Sequence, residues 1–401
     1  MNMKKTIVLV LCILLTAALF TGCNKEDVEV LNVYNWGEYL SDGSEGSLDV
    51  NAAFEAYCLE TLGKEVKVNY TTYASNEDMY NKLSSGAAVY DIVIPSDYMI
   101  EKMIREDMLL PLNFGNIPNY QYIDEQYKNN YYDPESKYSV PYLCGYVGMI
   151  YNTAKISDTP TDWDAMWNEA YSGQILQFNN PRDAFGTALY KLGYDVNTTT
   201  TSEWDEALAL LKQQKPLVQS YVMDEVFNKM KNGSAAVAAY YAGDFLTMYE
   251  DNGDLAFYYP KSGTNVFVDA MCIPAVAQNK ELAEAYINFF LTEEIAVANA
   301  EYTYYASPNT LVRNSESYKA TMSEVHENAA EILYPSEPVK STYYKNLDPD
   351  TTAYMNAGWE SLKVESATDM TIYIVASVVL LVLLVLFVGV WLRKRTNRKY
   401  Y

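Results

Sequence analysis

VEVLNVYNW (28–36), VKVNYTTYASNEDMYNKL (66–83) and YDIVIPSDYMIEKM (90–103) together decide the fold. Val28, Val30 and Val33 lie in a strand-like run that ends at Asn35-Trp36. Val66, Val68 and Tyr70 alternate with Lys67, Asn69 and Thr71, the period of a strand with one buried face. Ser75 stands where it can cap a helix carrying Met79 and Leu83, with Asp78 in the box position. Asp91 to Pro95 is a short buried strand, followed by a helix through Ile100 and Met103. Between the first two strands, Phe54, Cys58 and Leu62 share a helical face that stops at Gly63. This β-α-β-α-β order predicts an α/β fold with a mostly parallel sheet and helices on both faces. In such sheets ligands sit beyond the carboxyl ends of the strands. Trp36-Gly37-Glu38-Tyr39 follows the first strand and Ser96-Asp97-Tyr98 the third. A second α/β block is expected over about 147–267, then Asp269 to Pro274 and an amphipathic helix from Lys280 to about Leu291.

The ends of the 401-residue chain set the expected compartment. Lys4 and Lys5 precede an apolar run from Ile7 to Phe20, and Thr21-Gly22 leads into Cys23. A basic start, a short apolar core and small residues at the cut make an export signal over 1–22, with Cys23 positioned as the lipid acceptor of a lipoprotein. Near the other end, residues 371–392 carry no charge and are rich in Val and Leu, long enough to cross a bilayer. Arg393, Lys394, Arg395, Arg398 and Lys399 follow, so the positive-inside rule places the tail, 393–401, in the cytoplasm. Residues 24–370 are then expected outside the cell. Set apart from the two basic ends, they hold −30 of the formal charge, against −23 for the whole chain. Such a surface repels nucleic acid and attracts cations.

Cysteine and histidine narrow the chemistry. With Cys12 in the signal and Cys23 as lipid site, Cys58, Cys144 and Cys272 remain, in no metal-like spacing, and read as buried free thiols. His326 is the single histidine, which removes a histidine-based triad and most zinc sites. G-x-S-x-G, P-loop and EF-hand patterns are missing from the sequence. No cofactor and no enzymatic activity are expected.

Several segments, in order, carry a family resemblance: VYNWGEYL (33–40), YTTYASNEDMYNKL (70–83), YDIVIPSDYMIEKM (90–103) and YSVPYLCGYVGMIYN (138–152). ALYKLGYDVNTTT (188–200), VDAMCIPAVAQNKELAEAYINFFL (268–291) and YYASPNT (304–310) continue it. From Val28 to about Lys363 the chain resembles the bacterial spermidine/putrescine-binding proteins of ABC transporters. The resemblance implies a periplasmic-binding-protein fold of two lobes joined by crossing strands. It places 24–146 with 268–312 in lobe I, and 147–267 with 313–364 in lobe II. It also implies an aromatic box of Trp36, Tyr39, Tyr98, Tyr241, Phe267 and Tyr305. Carboxylates that meet amines fall at Glu38, Asp183 and Asp269, with a polar contact at Ser96. Two positions depart from a single pattern. Asn180 stands where the spermidine-preferring branch has an aspartate, and Asp244 matches an acid of the putrescine-selective branch. The apolar segment 371–392 lies outside the family pattern.

A polyamine is a flexible hydrocarbon with ammonium groups, so its site needs carboxylates for the charges and aromatic walls for the methylenes. Removing such ions from water costs several kcal/mol each, which only a well-placed partner offsets. The expected role is therefore a receptor that hands a polyamine to an ABC permease at the membrane. The alternatives are a receptor for Fe(III) or an anion, a membrane-anchored sensor or adhesin on the same fold, and an extracellular hydrolase. At single residues, Glu38 and Asp269 could be solvated acids, and Asp183 could pair with Arg182.

Overall fold

The computed structural model describes residues 28–397, with the side chains at 365–373, 386 and 389–397 outside that description. The expected signal, Cys23 and residues 398–401 also lie outside the described residues. The strands are β1 (Glu29–Trp36), β2 (Val66–Tyr73), β3 (Ile92–Val93), β4 (Ser139–Asn152) and β5 (Ile175–Phe178). They continue with β6 (Val218–Val222), β7 (Val237–Tyr241), β8 (Leu255–Tyr258), β9 (Thr264–Cys272) and β10 (Ser341–Tyr343). Their spatial order is β2-β1-β3-β9-β4-β7-β5-β6, with β8 on β4 and β10 on β9.

The sheet is mixed rather than mostly parallel. β1, β2 and β3 are parallel to one another, as are β5, β6 and β7. Between these two blocks β9 runs antiparallel to β3 and β4, and β4 antiparallel to β7, while β10 lies parallel to β9. β4 is the longest strand, and its first part pairs with β9 while residues 147–152 pair with β7 and β8. One strand therefore belongs to both blocks, and the parallel blocks point at each other across it. Ser96, just past β3, bridges Asp269, which pairs with Leu143. Tyr241, the last residue of β7, pairs with Val147. Four residues of strand separate these points, about 13 Å at roughly 3.3 Å per residue. The carboxyl ends of both parallel blocks thus face one gap.

Local chemistry sets the helices that flank the gap. Ser75 Oγ accepts from the Asp78 amide at 3.1 Å and starts helix Asn76–Ser84. Helix Val50–Tyr57 adds one π-helical turn, Cys58–Leu62, before Gly63 ends it in the left-handed region at φ 64°. Asn180 caps helix Pro181–Leu192, its Oδ1 accepting from the Asp183 amide at 2.8 Å. Phe54, Tyr286 and Phe290 fill the core under the first block; Trp163, Phe178, Phe185 and Trp204 fill the second. Each such side chain removed from water contributes about 1.5–3 kcal/mol. Cys58, Cys144 and Cys272 are buried free thiols.

The last helix runs Pro349–Asn397. Its first turns lie on the second block, where Trp359 meets Tyr221 edge to face and Gly358 approaches Phe185. Among the described residues no helix is long and apolar enough to cross a membrane. The expected span, 371–392, is interrupted there, because the side chains at 371–373, 386 and 389–392 lie outside the description. What the described part shows is an apolar surface facing solvent, from Ile374 through Phe387 and Val388.

Candidate ligand-binding cleft

Six parallel strand ends build the site. β1 delivers Trp36 to Tyr39, β2 delivers Ala74 to Glu77, and β3 delivers Ser96 to Tyr98. From the facing block, β5 delivers Asn180 and Asp183, β6 Met223 and Asp224, and β7 Tyr241 and Asp244. The crossing strand β9 adds Phe267 and Asp269 from below, and Tyr305 closes one side. All twelve residues singled out in the sequence line this one cleft.

Among the described residues the cleft is lined by seven carboxylates and by no lysine or arginine. Four of the acids are each held by a tyrosine hydroxyl. Tyr39 donates to Asp269 Oδ2 at 2.7 Å, Tyr241 to Asp183 Oδ2 at 3.0 Å and Tyr98 to Glu77 Oε1 at 3.0 Å. Tyr305 donates to Asp244. A phenol orients a carboxylate without neutralising it, so the charge stays uncompensated. Asp269, Asp183 and Asp244 are only 4 %, 9 % and 7 % exposed. Burial accordingly pushes Asp269 up to about 7, with the Ser96 and Tyr39 hydroxyls opposing and Asp183 adding to the rise. Asp183, Asp244, Glu77 and Asp224 are raised as well, burial being the first cause in each. Asp269 Oδ1 is buried and has no hydrogen-bond partner. A buried, unpaired acceptor of this kind costs free energy until a donor arrives.

The apolar walls are also fixed. Tyr39 meets Tyr305 edge to face at 4.9 Å between ring centres, and Tyr241 meets Phe267 the same way at 5.4 Å. The half-buried Trp36 donates its indole Nε1–H to the Ile94 carbonyl at 2.9 Å, which fixes the ring in the wall. Tyr39 itself is braced by Tyr142, whose hydroxyl donates to the Tyr39 carbonyl at 3.0 Å. Tyr142 stands at the irregularity between Pro141 and Leu143, where β4 bulges. Glu38 lies exposed at the rim with φ 51°, an uncommon backbone for a residue with a side chain.

Asp183 does not form an ion pair with Arg182. The guanidinium donates to Val196 O at 2.7 Å and Asn197 Oδ1 at 2.7 Å, and stacks on Tyr344. Asn180 has a structural task beside its place in the lining, since its Nδ2 donates to Asp183 Oδ2 at 2.8 Å while its Oδ1 caps the helix.

Comparison with known proteins agrees with this architecture. Residues 87–331 match the family model described as bacterial extracellular solute-binding protein. The spermidine/putrescine-binding periplasmic protein of Salmonella typhimurium is 31 % identical over 348 residues, 86 % of this chain and 94 % of that protein. The chain belongs to the bacterial extracellular solute-binding proteins. Other members lie near it. The putrescine-binding periplasmic protein PotF of Escherichia coli is 27 % identical over 86 % of this chain and 94 % of its own length. A solved structure, a putative spermidine/putrescine ABC transporter from Listeria monocytogenes, is 32 % identical with a TM-score of 0.74, covering 84 % of this chain and all but 1 % of that one.

For a solute-binding protein, several cleft residues escape the sequence reading, among them Glu77, Asp224 and Tyr344. Two of them had a signal. Glu77 follows the end of β2 and Asp224 the end of β6, so the rule applied to β1 and β3 would have found both. Asp97 is a structural acid, accepting from the Tyr98 amide at 2.7 Å and the Val268 amide at 3.3 Å.

Proposed function

We propose that this solute-binding protein is a polyamine receptor that passes spermidine or putrescine to an ABC permease. The observation that carries the reading is the set of tyrosine-held carboxylates in a buried cleft lined by no basic side chain. An ammonium group supplies the charge and the donor that Asp269 Oδ1 lacks, and aromatic faces exclude water around the methylenes. The reading draws further support from the names of the relatives, which bind spermidine or putrescine. An anion receptor needs positive charge turned to the ligand, and the seven acids of the lining oppose that. The twelve lining residues serve as ligand contacts, the lobes being 24–146 with 268–312 and 147–267 with 313–364. They close on the ligand by bending where β4 changes partner at Gly145 to Val147.

The same proposal includes the anchors: an export signal over 1–22, a lipid on Cys23, and a membrane helix over 371–392 with the basic tail inside the cell. The apolar side chains from Ile374 to Val388 face solvent, and a bilayer is a medium that covers such a surface on every side. Native mass spectrometry of the purified protein mixed with spermidine and putrescine tests the receptor reading. One intact, unmodified polyamine per chain is expected. Retention of neither polyamine, or conversion of either, overturns it.

A further inference from the structure

Glu77 is built into the cleft in the same way as the acids already singled out, yet it belongs to a different place in it. Tyr98 donates to its Oε1 at 3.0 Å, and Asn76 Nδ2 in turn donates to the Tyr98 hydroxyl at 3.1 Å. The same Asn76 amide nitrogen reaches Ser96 Oγ at 3.1 Å, while Asn76 Oδ1 accepts from the Ser96 amide at 3.1 Å. Asn76 is buried, so the Tyr98 hydroxyl is held on both sides and points its proton at Glu77. The energetic expense of this small network is to keep a carboxylate in an aromatic, low-dielectric wall. Arg182, whose charge also reaches Glu77, donates to Val196 and Asn197 and stacks on the Tyr344 ring.

The position of Glu77 along the cleft gives it a purpose. Two neighbouring hollows each share lining residues with the cleft and none with each other. One shares Glu38, Phe227 and Asp244 with the cleft; the other shares Glu77, Tyr98 and Asn180. Glu77 therefore lies toward one end of the cleft, beside a hollow that Lys102, Arg182 and Lys345 also line, and Asp244 with Glu38 lies toward the other end. Asp269 stands on the crossing strand β9, where the two blocks meet. Its Oδ1 is the buried acceptor left without a partner, which points independently to a cationic donor in the same space.

We propose that Glu77, oriented by Tyr98, is a further ligand-contacting carboxylate that receives a third ammonium group, so that the cleft takes a linear triamine in preference to a diamine. A chain lying from end to end of the cleft meets acids at three places, and a diamine leaves one of them without a cation. The inference rests on the polyamine reading and deepens it. It makes Glu77 a determinant of ligand length rather than of binding as such.

Calorimetric titration of the full chain in detergent with spermidine and with putrescine separates the two. The wild type is expected to bind spermidine more tightly. Glu77→Gln, close to the same shape without the charge, is expected to weaken spermidine tenfold or more and to change putrescine less than about threefold. Glu77→Asp, which keeps the charge on a shorter arm, is expected to recover part of the discrimination. A thermal melt of each ligand-free variant reports folding. Equal losses for both ligands mean that Glu77 only supports the wall, and unchanged spermidine binding means that it touches no ligand; either result overturns the inference while the receptor reading stands. A wild type that prefers putrescine also overturns it. A wild type that binds neither polyamine overturns the receptor reading itself, and this inference with it.

Discussion

At the scale of single residues, Asp269 carries the largest consequence, because it is buried, half-partnered and uncompensated. Its carboxyl is raised from an ordinary 3.8 to about 7. A raised folded-state pKa means that the ligand-free fold holds a proton the unfolded chain gives up. That contribution to stability is complete below about pH 4 and is lost as pH rises towards 7. The melting temperature of the ligand-free protein is therefore expected to fall across this window, and the increment added by polyamine to grow over it and level off above. A ligand increment that shrinks from pH 4 to 7 would contradict the assignment. Asp269→Asn removes the titrating charge, so the ligand-free variant is expected to melt no lower than wild type at pH 7.5 while binding weakens by about 2–5 kcal/mol. Affinity within twofold of wild type sinks the role given to Asp269. Much of this was legible as residue identity: acids and aromatics at strand ends. The pairing was not. Tyr39 and Asp269 are 230 positions apart, and their hydrogen bond exists only once β9 takes its place in the sheet beside β3. Glu77 and Asp224 were missed for a simpler reason, since the strand-end rule was applied to two strands where six obey it.

At the scale of elements, the helices were the legible part, because caps are local: Ser75 and Gly63 each act on backbone within a few residues. The crossing strands were harder. β4 is buried at thirteen of its fourteen positions, so it shows no inside–outside alternation from which a pairing direction could be inferred. This is why a mostly parallel sheet was expected and a mixed one is found. The approach of elements across the gap gives a second test. Helix Ala242–Asp251 comes so close to Tyr305 that a Cβ on Gly243 would lie 2.4 Å from the ring. Tyr305 is buried and braced by Tyr39, and cannot step aside cheaply. Gly243→Ala is expected to weaken polyamine binding by about 1–3 kcal/mol through overpacking of the closed cleft. Small-angle scattering should show the variant more open than wild type at the same ligand concentration. Unchanged affinity and unchanged dimensions would mean that the two elements do not meet in the bound form.

At the scale of the whole molecule, the question is how the receptor is held near its permease. A single acyl-type anchor binds a membrane reversibly, whereas a spanning helix is effectively permanent. If both proposed anchors exist, the helix dominates retention and keeps the receptor at high effective concentration beside its partner. Cys23→Ala is then expected to stay in the membrane fraction, a stop after Lys363 to leave attachment that depends on Cys23, and both together to release a soluble polyamine-binding domain. A chain with Cys23 intact and the stop that is retained and transports as well as wild type contradicts the dominance of the helix. The central claim, however, is the cationic ligand, and calorimetry tests it most directly. The full chain in detergent is titrated with spermidine and putrescine, and with citrate and phosphate as anionic controls. One site with a Kd of micromolar or tighter, about −8 kcal/mol or more favourable, is expected for at least one polyamine and for neither anion. Binding of an anion with no heat from either polyamine would contradict the account.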